Sequence, residues 1–406
     1  MAAVLARAES QLLDRCRDGA EPNYGVLNPD MIHLRGAMQH AITTGNIMKM
    51  HTFSLVFIGL LAAETTQAAK YNITELPVLP GGTSATGSGI NKAGQVVGTG
   101  DDANGNLQAI VWTNGVATLP LGDTLDFSSG TAINNSGVAI GAFFFDLGGV
   151  FAIGPNIDAE FTTDEGPVVG ALNDSNVIVG ELRGHPAVWA MGTIDFDHQG
   201  LPNTPDNDGA PVSLNGISAA GVVVGQEFDV DNAGNFFSIA LRWTPANSSD
   251  IATKWNNAKL KVLAGLGGHE SSAAAINNNG LIAGWARLGN GRQHAALWGP
   301  TTSAFDLGTL GGHESLANGL NSMGDIAGTA QTSSGAWHAV LWTHKHFVAV
   351  DLNKEISSTW AKDVTLTSAV GTNDRCMVVA NGVDNRTGNE ATFVLSLADQ
   401  SLCNNP

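Results

Sequence analysis

INNNGLIAG, residues 276–284, has six relatives in the same chain: INKAGQVVG (90–98), INNSGVAIG (133–141), LNDSNVIVG (172–180), ISAAGVVVG (217–225), LNSMGDIAG (320–328) and TNDRCMVVA (372–380). Their last residues are spaced 43, 39, 45, 59, 44 and 52 positions apart. A unit of this size recurring end to end is the signature of a repeat architecture, and it decides the fold before any other signal is read.

The fifth unit shows the anatomy: KVLAGLGG (261–268), HESSAAAINNNG (269–280), LIAGWA (281–286), RLGNGRQ (287–293) and HAALW (294–298). Apolar runs of three to five residues lie between Gly, Asn and Ser, with no helical spacing sustained over three turns. Such runs read as strands, four per unit. Asn-x-x-Gly suits a tight turn between two of them, because Asn tolerates and Gly favours a left-handed backbone. The alternative is a set of ligand groups at Asn91, Asn134, Asn173, Asn277, Asn321 and Asn373. A further strand ends in Trp in QAIVW (108–112), HPAVW (185–189), IALRW (239–243), HAALW (294–298) and HAVLW (338–342). One large aromatic per unit fits as filling between sheets, or as a row of sugar-stacking rings.

Four strands per repeat predict an all-β fold, a seven-bladed β-propeller, with a β-solenoid as the alternative. The phase of the repeats favours closure. An outer strand follows the Trp strand in VATLPLG (116–122), SAFDLGT (303–309) and FVAVDLN (347–353), yet the seventh unit stops after EATFVLSL (390–397). A spare strand of that type, YNITELPVL (71–79), stands before the first unit and is expected to complete the last blade. Closure by the first strand leaves no exposed sheet end.

Residues 48–69 read as a signal peptide: Lys49, the apolar run FSLVFIGLLAA (53–63), then small residues, with cleavage near Ala68 or Ala69. Residues 1–47 then read as a lead upstream of the true start; the alternative is a cytoplasmic segment before an uncleaved anchor. The apolar stretch 137–154 contains Asp146 and is expected to form two buried strands and a turn. Residues 70–406 are expected to be a single exported propeller, secreted or periplasmic, monomeric, with no membrane span. Net charge is −18 over the chain and −17 over residues 70–406, which disfavours nucleic acid as a partner. Beyond Cys16 there are two cysteines, Cys376 and Cys403, an even pair in an oxidising compartment; they read as a disulfide or as two separate thiols.

FDLGTLGGHESLANGLNSMGDIAG (305–328) with HAVLW, and LAGLGGHESSAAAINNNGLIAG (263–284) with HAALW, resemble the HAF repeats of predicted extracellular bacterial proteins. The resemblance covers about residues 71–397. It weakens outside units five and six, and units two, three, four and seven lack the double glycine. It implies export and a repeat-built β fold, and it brings no catalytic residue.

Catalytic signatures are missing from the sequence: there is no GxSxG elbow, Walker loop or CxxC, and His269-Glu270 and His313-Glu314 lack the second His of HExxH. The turns DDANGN (101–106), DVDNAGN (229–235) and VDNRTGN (383–389) are oxygen-rich. They read as ordinary turns or as calcium loops, with Asp229, Asp231 and Asn235 the candidate ligands. Non-repeating inserts at 191–212 and 245–260 are where recognition is expected, with His198, Asp206, Asp208 and Trp255 as candidate contacts. The expected function is a non-catalytic binding or scaffold module for a protein or glycan partner. The alternative is a polysaccharide hydrolase or lyase with its site in the central channel.

Overall fold

The computed structural model describes residues 70–122, 127–145, 147–162, 167–182, 185–190, 198–200, 211–230, 234–249 and 251–403. They form a seven-bladed β-propeller of four-stranded antiparallel sheets. Blade 1 is β2 (Ala85–Ile90), β3 (Val96–Asp101), β4 (Leu107–Thr113) and β5 (Val116–Thr118). Blade 2 is β6 (Phe127–Ile133), β7 (Ala139–Phe145), β8 (Leu147–Gly154) and β9 (Ile157–Thr162), which puts the apolar stretch 137–154 on two paired strands. Blade 3 is β10 (Val168–Leu172), β11 (Val177–Leu182), β12 (His185–Ala190) and β13 (His198–Gly200); blade 4 is β14 (Val212–Ile217), β15 (Val223–Val230), β16 (Phe236–Thr244) and β17 (Lys259–Val262). Blade 5 is β18 (Gly267–Ile276), β19 (Ile282–Leu288), β20 (Gln293–Trp298) and β21 (Ala304–Asp306); blade 6 is β22 (Gly311–Leu320), β23 (Ile326–Thr332), β24 (Trp337–Trp342) and β25 (Ala349–Asp351). Blade 7 has β26 (Val364–Thr372), β27 (Val378–Asp384) and β28 (Glu390–Leu397) from its own repeat, and takes its outer strand from β1 (Tyr71–Glu75).

β1 pairs with β28 in the register Tyr71↔Leu397 to Glu75↔Phe393. The closing strand is shorter than the 71–79 expected. Leu76 and Leu79 leave the ladder and instead bury themselves beside Ala85 and Ile110 in the core of blade 1. The ring is closed on the inside as well: Asn381 Nδ2 donates to Gly87 O at 2.9 Å and Thr392 Oγ1 to Ala85 O at 3.0 Å. A solenoid, with its free ends, is thereby excluded.

The repeat signature reads directly onto this geometry. Sheets around an axis crowd at the centre and diverge outward, so inner strands carry small residues and outer ones large. A Cβ on Gly130 of β6 would lie 2.6 Å from Gly98 O of the preceding blade. Further out, Trp112, Trp189, Trp243, Trp298 and Trp342 are each at most 1% exposed. They fill the widening gap between sheets, which removes the sugar-stacking reading. Three of them also donate through Nε1 to the crossover from the previous blade: Trp112 to Pro77 O, Trp298 to Ala264 O and Trp342 to Leu307 O, at 2.7–2.8 Å. The last Gly of the nonamer makes room for this ring, since a Cβ on Gly98 would meet Trp112 at 2.9 Å.

In blades 5 and 6 a histidine near the start of the Trp strand is paired with an aspartate of the outer strand. His294 Nδ1 lies 2.8 Å from Asp306 Oδ1, and His338 Nδ1 lies 3.0 Å from the buried Asp351 carboxylate. The His of HAALW and HAVLW and the Asp that follows in FDLG and VDLN are thus one cross-strand clip.

The Asn-x-x-Gly turns do more than reverse the chain. Six asparagines are buried and each donates Nδ2 to the backbone carbonyl at the same position of the next blade: Asn91 to Asn134, Asn134 to Asn173, Asn173 to Ser218, Asn277 to Asn321, Asn321 to Asn373 and Asn373 to Asn91, at 2.9–3.2 Å. Their Oδ1 atoms accept amides of the same turn, as when Asn373 takes those of Arg375 and Met377 at 3.0 Å. The ligand reading is therefore replaced by a belt of hydrogen bonds running round the axis. Blade 4 has Ser218 at this position, whose shorter hydroxyl takes the amide of Val222 in its own turn instead. Ser218→Asn is expected to add the missing link to Asn277 O. A net hydrogen bond contributes about 1 kcal/mol, so thermal unfolding should shift upward by about 2 °C or less. An unchanged or lower midpoint would show that the gap is not simply a missing donor.

Candidate functional site

Antiparallel pairing sorts the connections onto two faces of the disc. Asn turns and the loops between third and fourth strands share one face. The hairpins between second and third strands, with the crossovers, share the other. On the turn face, a cavity of about 190 Å³ opens on the axis. Each blade contributes to it the residues around its Asn, in rings. An apolar ring of Ile90, Ile133, Leu172, Ile217, Ile276 and Leu320, with Thr372 in blade 7, lies on one side of the belt. The residues following each Asn form the outer ring: Lys92, Asn135, Asp174, Ala219, Asn278, Ser322 and Asp374.

The charged members of the outer ring are already bonded to neighbours. Asp174 accepts the amide and the Nδ2 of Asn135 at 3.0 and 2.9 Å. Asp374 accepts the amide and hydroxyl of Ser322 at 2.8 and 2.6 Å, and lies 3.1 Å from Lys92 Nζ. Burial works to raise the pKa of Asp374, but the Ser322 bonds and the Lys92 ammonium outweigh it and hold the carboxyl below the usual range. This trio spans blades 6, 7 and 1, where the ring closes.

Beside it lies a disulfide between Cys376 and Cys403, with Cα atoms 5.7 Å apart. Cys376 occupies the fourth position of its Asn turn with φ +55°, where five other turns place a glycine of positive φ. The bond ties the tail, including the short 3-10 turn η1 (Gln400–Leu402), to the turn face.

Of the sequence-based contact candidates, only two fall on described residues, and the strand begun by His198 lies against the short helix that carries Trp255. Asp206 and Asp208 lie outside the described residues, as do Asp231, Cys16, the lead and the signal segment. The insert 191–212 is not one loop: His198 begins β13, the fourth strand of blade 3, opposite Trp189, so the chain crosses from the turn face to the hairpin face within it. Trp255 is no surface contact. It lies in helix α1 (Ile251–Asn256) and is 2% exposed, packed with Trp243, Leu214 and Ala258. The indole closes the core under the 245–258 loop because its area is worth more buried than displayed. Among the described residues, no group of three or more His, Cys, Asp or Glu side chains could hold a metal ion. The hairpin carboxylates of blades 1 and 7 close their own turns: Asp102 accepts the amides of Asn104 and Asn106, and Asp384 binds the Arg386 guanidinium at 2.9 Å. Asp229 Oδ1 accepts the Val230 amide at 2.7 Å, and Asn235 is also engaged.

What sequence reasoning missed lies in that same blade-4 hairpin. Strands β15 and β16 are long, and near their shared end Phe236 is 82% exposed, with Val230 directly opposite at 47% and Phe228 two residues along at 40%. Residues opposite, or two apart, point to the same side of a sheet, so the three form one solvent-facing apolar wedge on the hairpin face. Apolar Phe228, Val230 and Phe236 around acidic Asp229 in the blade-4 hairpin was the available signal.

Among the described residues, no helix is long and apolar enough to cross a membrane. No known family's sequence profile matches the chain, and no curated protein matches it. Among solved structures, the chain is similar to the Cps50 (Swd1) β-propeller domain of Myceliophteria thermophila, at 10% identity and a TM-score of 0.32 over 81% of this chain and all of that one.

Proposed function

We propose that this propeller is an exported, non-catalytic binding module of the HAF-repeat kind. It recognises a protein partner through the apolar wedge of Phe228, Val230 and Phe236. The fold supports a binding or scaffold role in general terms. The wedge is the observation that carries the specific reading: three large apolar side chains exposed together at the end of two paired strands are the usual mark of a protein contact. The repeated polar side chains, by contrast, are engaged in belts, clips and turns, and so support the non-catalytic reading. General acid chemistry needs a carboxyl kept protonated near neutrality, whereas Asp374 in the axial cavity is held ionised.

The test compares the full chain with Phe236→Asp and, on the opposite face, with the exposed Asn256→Arg. Proteins of the exported fraction retained by the unaltered chain should still be retained by Asn256→Arg and be lost with Phe236→Asp. The expected loss is tenfold or more in affinity, as for a hot-spot aromatic. Retention undiminished by Phe236→Asp would remove the wedge from the interface. Retention only by immobilised glycans would replace the protein partner with a saccharide. Turnover of any member of a polysaccharide panel would overturn the non-catalytic reading.

A further inference from the structure

The interface between blades 4 and 5 differs from the other six. It is where the asparagine belt lacks its link, at Ser218. Behind that gap, on the turn face, lies a second cavity of about 250 Å³, lined by Val222, Arg242, Thr244, Ile276, Asn279, Gly280 and Pro300. It is smaller than the ~300 Å³ at which drug-sized sites begin, so it suits one compact group.

Arg242 is the unusual member. No carboxylate pairs with it among the described residues, although the chain from residue 70 onward is strongly acidic. Arg287 and Arg386, in contrast, lie 3.0 and 2.9 Å from Glu270 and Asp384. The Arg242 fork makes one long bond, from Nη1 to Pro300 O at 3.4 Å, and its Nε is shut off from solvent without a partner. A partly desolvated guanidinium with no counter-charge is destabilising as it stands and gains strongly from an anion at its open side. The strand register reinforces the field: Lys261 stands directly opposite Arg242, and Lys259 opposite Thr244, on the same side of the sheet.

The remaining walls narrow the ligand. Thr244 offers a hydroxyl. Asn279 donates Nδ2 to Ser322 O at 2.8 Å, which leaves its Oδ1 as an acceptor. Val222, Ile276 and Pro300 supply apolar surface. From this set we infer that the cavity between blades 4 and 5 binds a single small hydroxy acid of monosaccharide size. Its carboxylate lies on the Arg242 fork, a hydroxyl donates to Asn279 Oδ1, and its apolar face lies against Ile276 and Pro300. The site stands apart from the blade-4 wedge, which is on the opposite face.

The probe is D-glucuronate, titrated calorimetrically and by ligand-observed NMR against the full chain, with D-glucose as the uncharged isostere. Glucuronate should bind, and glucose should bind at least tenfold more weakly, the ratio expected for losing a charge-assisted pair. Arg242→Gln should lose glucuronate by at least tenfold while melting no lower than the unaltered chain, since it removes an unpaired, partly desolvated cation. Thr244→Val should weaken binding severalfold. A tri-uronate should bind no tighter than the monomer, because the cavity has room for one compact group. Equal affinity for glucose and glucuronate, equal affinity in Arg242→Gln, or much tighter binding of the tri-uronate would each overturn the assignment.

Discussion

A chain beginning at Leu76 instead of Lys70 is expected to lose the closed ring. β1 is five residues long, yet it supplies the fourth strand of blade 7. Tyr71 and Ile73 are 3% and 8% exposed and belong to one core with Phe393, Leu395 and Leu397. Losing the burial of two such side chains alone costs roughly 3–6 kcal/mol. The bared edge of β28 adds unpaired backbone groups and a template for aggregation. Set against a total stability of about 5–15 kcal/mol, this should turn a cooperative melt into a broad transition with a large loss of soluble protein. Differential scanning calorimetry of the two chains gives the comparison, and a peptide of residues 70–79 added in trans should restore part of the transition. A shortened chain melting within a few degrees of the longer one would mean that the seventh blade holds without its latch.

Reduction of Cys376–Cys403 should produce the second large effect. The bond closes a loop with a sequence separation of 27, for which chain entropy alone gives about 3–4 kcal/mol. Its Cys376 also sits at φ +55°, as the turn requires, a conformation that costs a non-glycine residue about 1 kcal/mol. Cys376→Ser/Cys403→Ser should therefore melt several degrees lower than the oxidised protein, and a reductant should lower the unaltered chain equally. Cys376→Gly/Cys403→Ser should recover about 1 kcal/mol of the loss, because glycine accepts the turn freely. If both double variants melt together, the left-handed turn is not a source of strain. If neither differs from the oxidised chain, the tail contributes nothing to the latch.

The architecture was legible because its cause is periodic. Short apolar strands and Asn turns recur along the chain, and Trp stands at or next to the end of the third strand in five of the seven blades. The missing outer strand after EATFVLSL matched the spare YNITELPVL, of which YNITE forms the strand. Even the His–Asp clips left a trace, at separations of 12 and 13 residues between His294 and Asp306 and between His338 and Asp351. The sites were harder to read. Trp255 looked like an exposed aromatic in an insert, but an isolated Trp in a loop cannot be told from one that plugs the sheet beneath. His198 looked like part of a long insert, because a three-residue strand carries no period.

The sequence by itself determined that seven like sheets must form and that the first strand belongs to the last sheet, since both follow from local alternation and from counting strands. Only the tertiary structure decided what the repeated polar residues do. The Asn91 amide meets the Asn134 carbonyl, and Arg242 faces a cavity without a counter-charge, because ring closure fixes the distance between neighbouring blades. No pattern along one chain encodes that distance. The same fold leaves Phe236 exposed on one face and Trp255 buried on the other, although both are aromatic residues of a single blade.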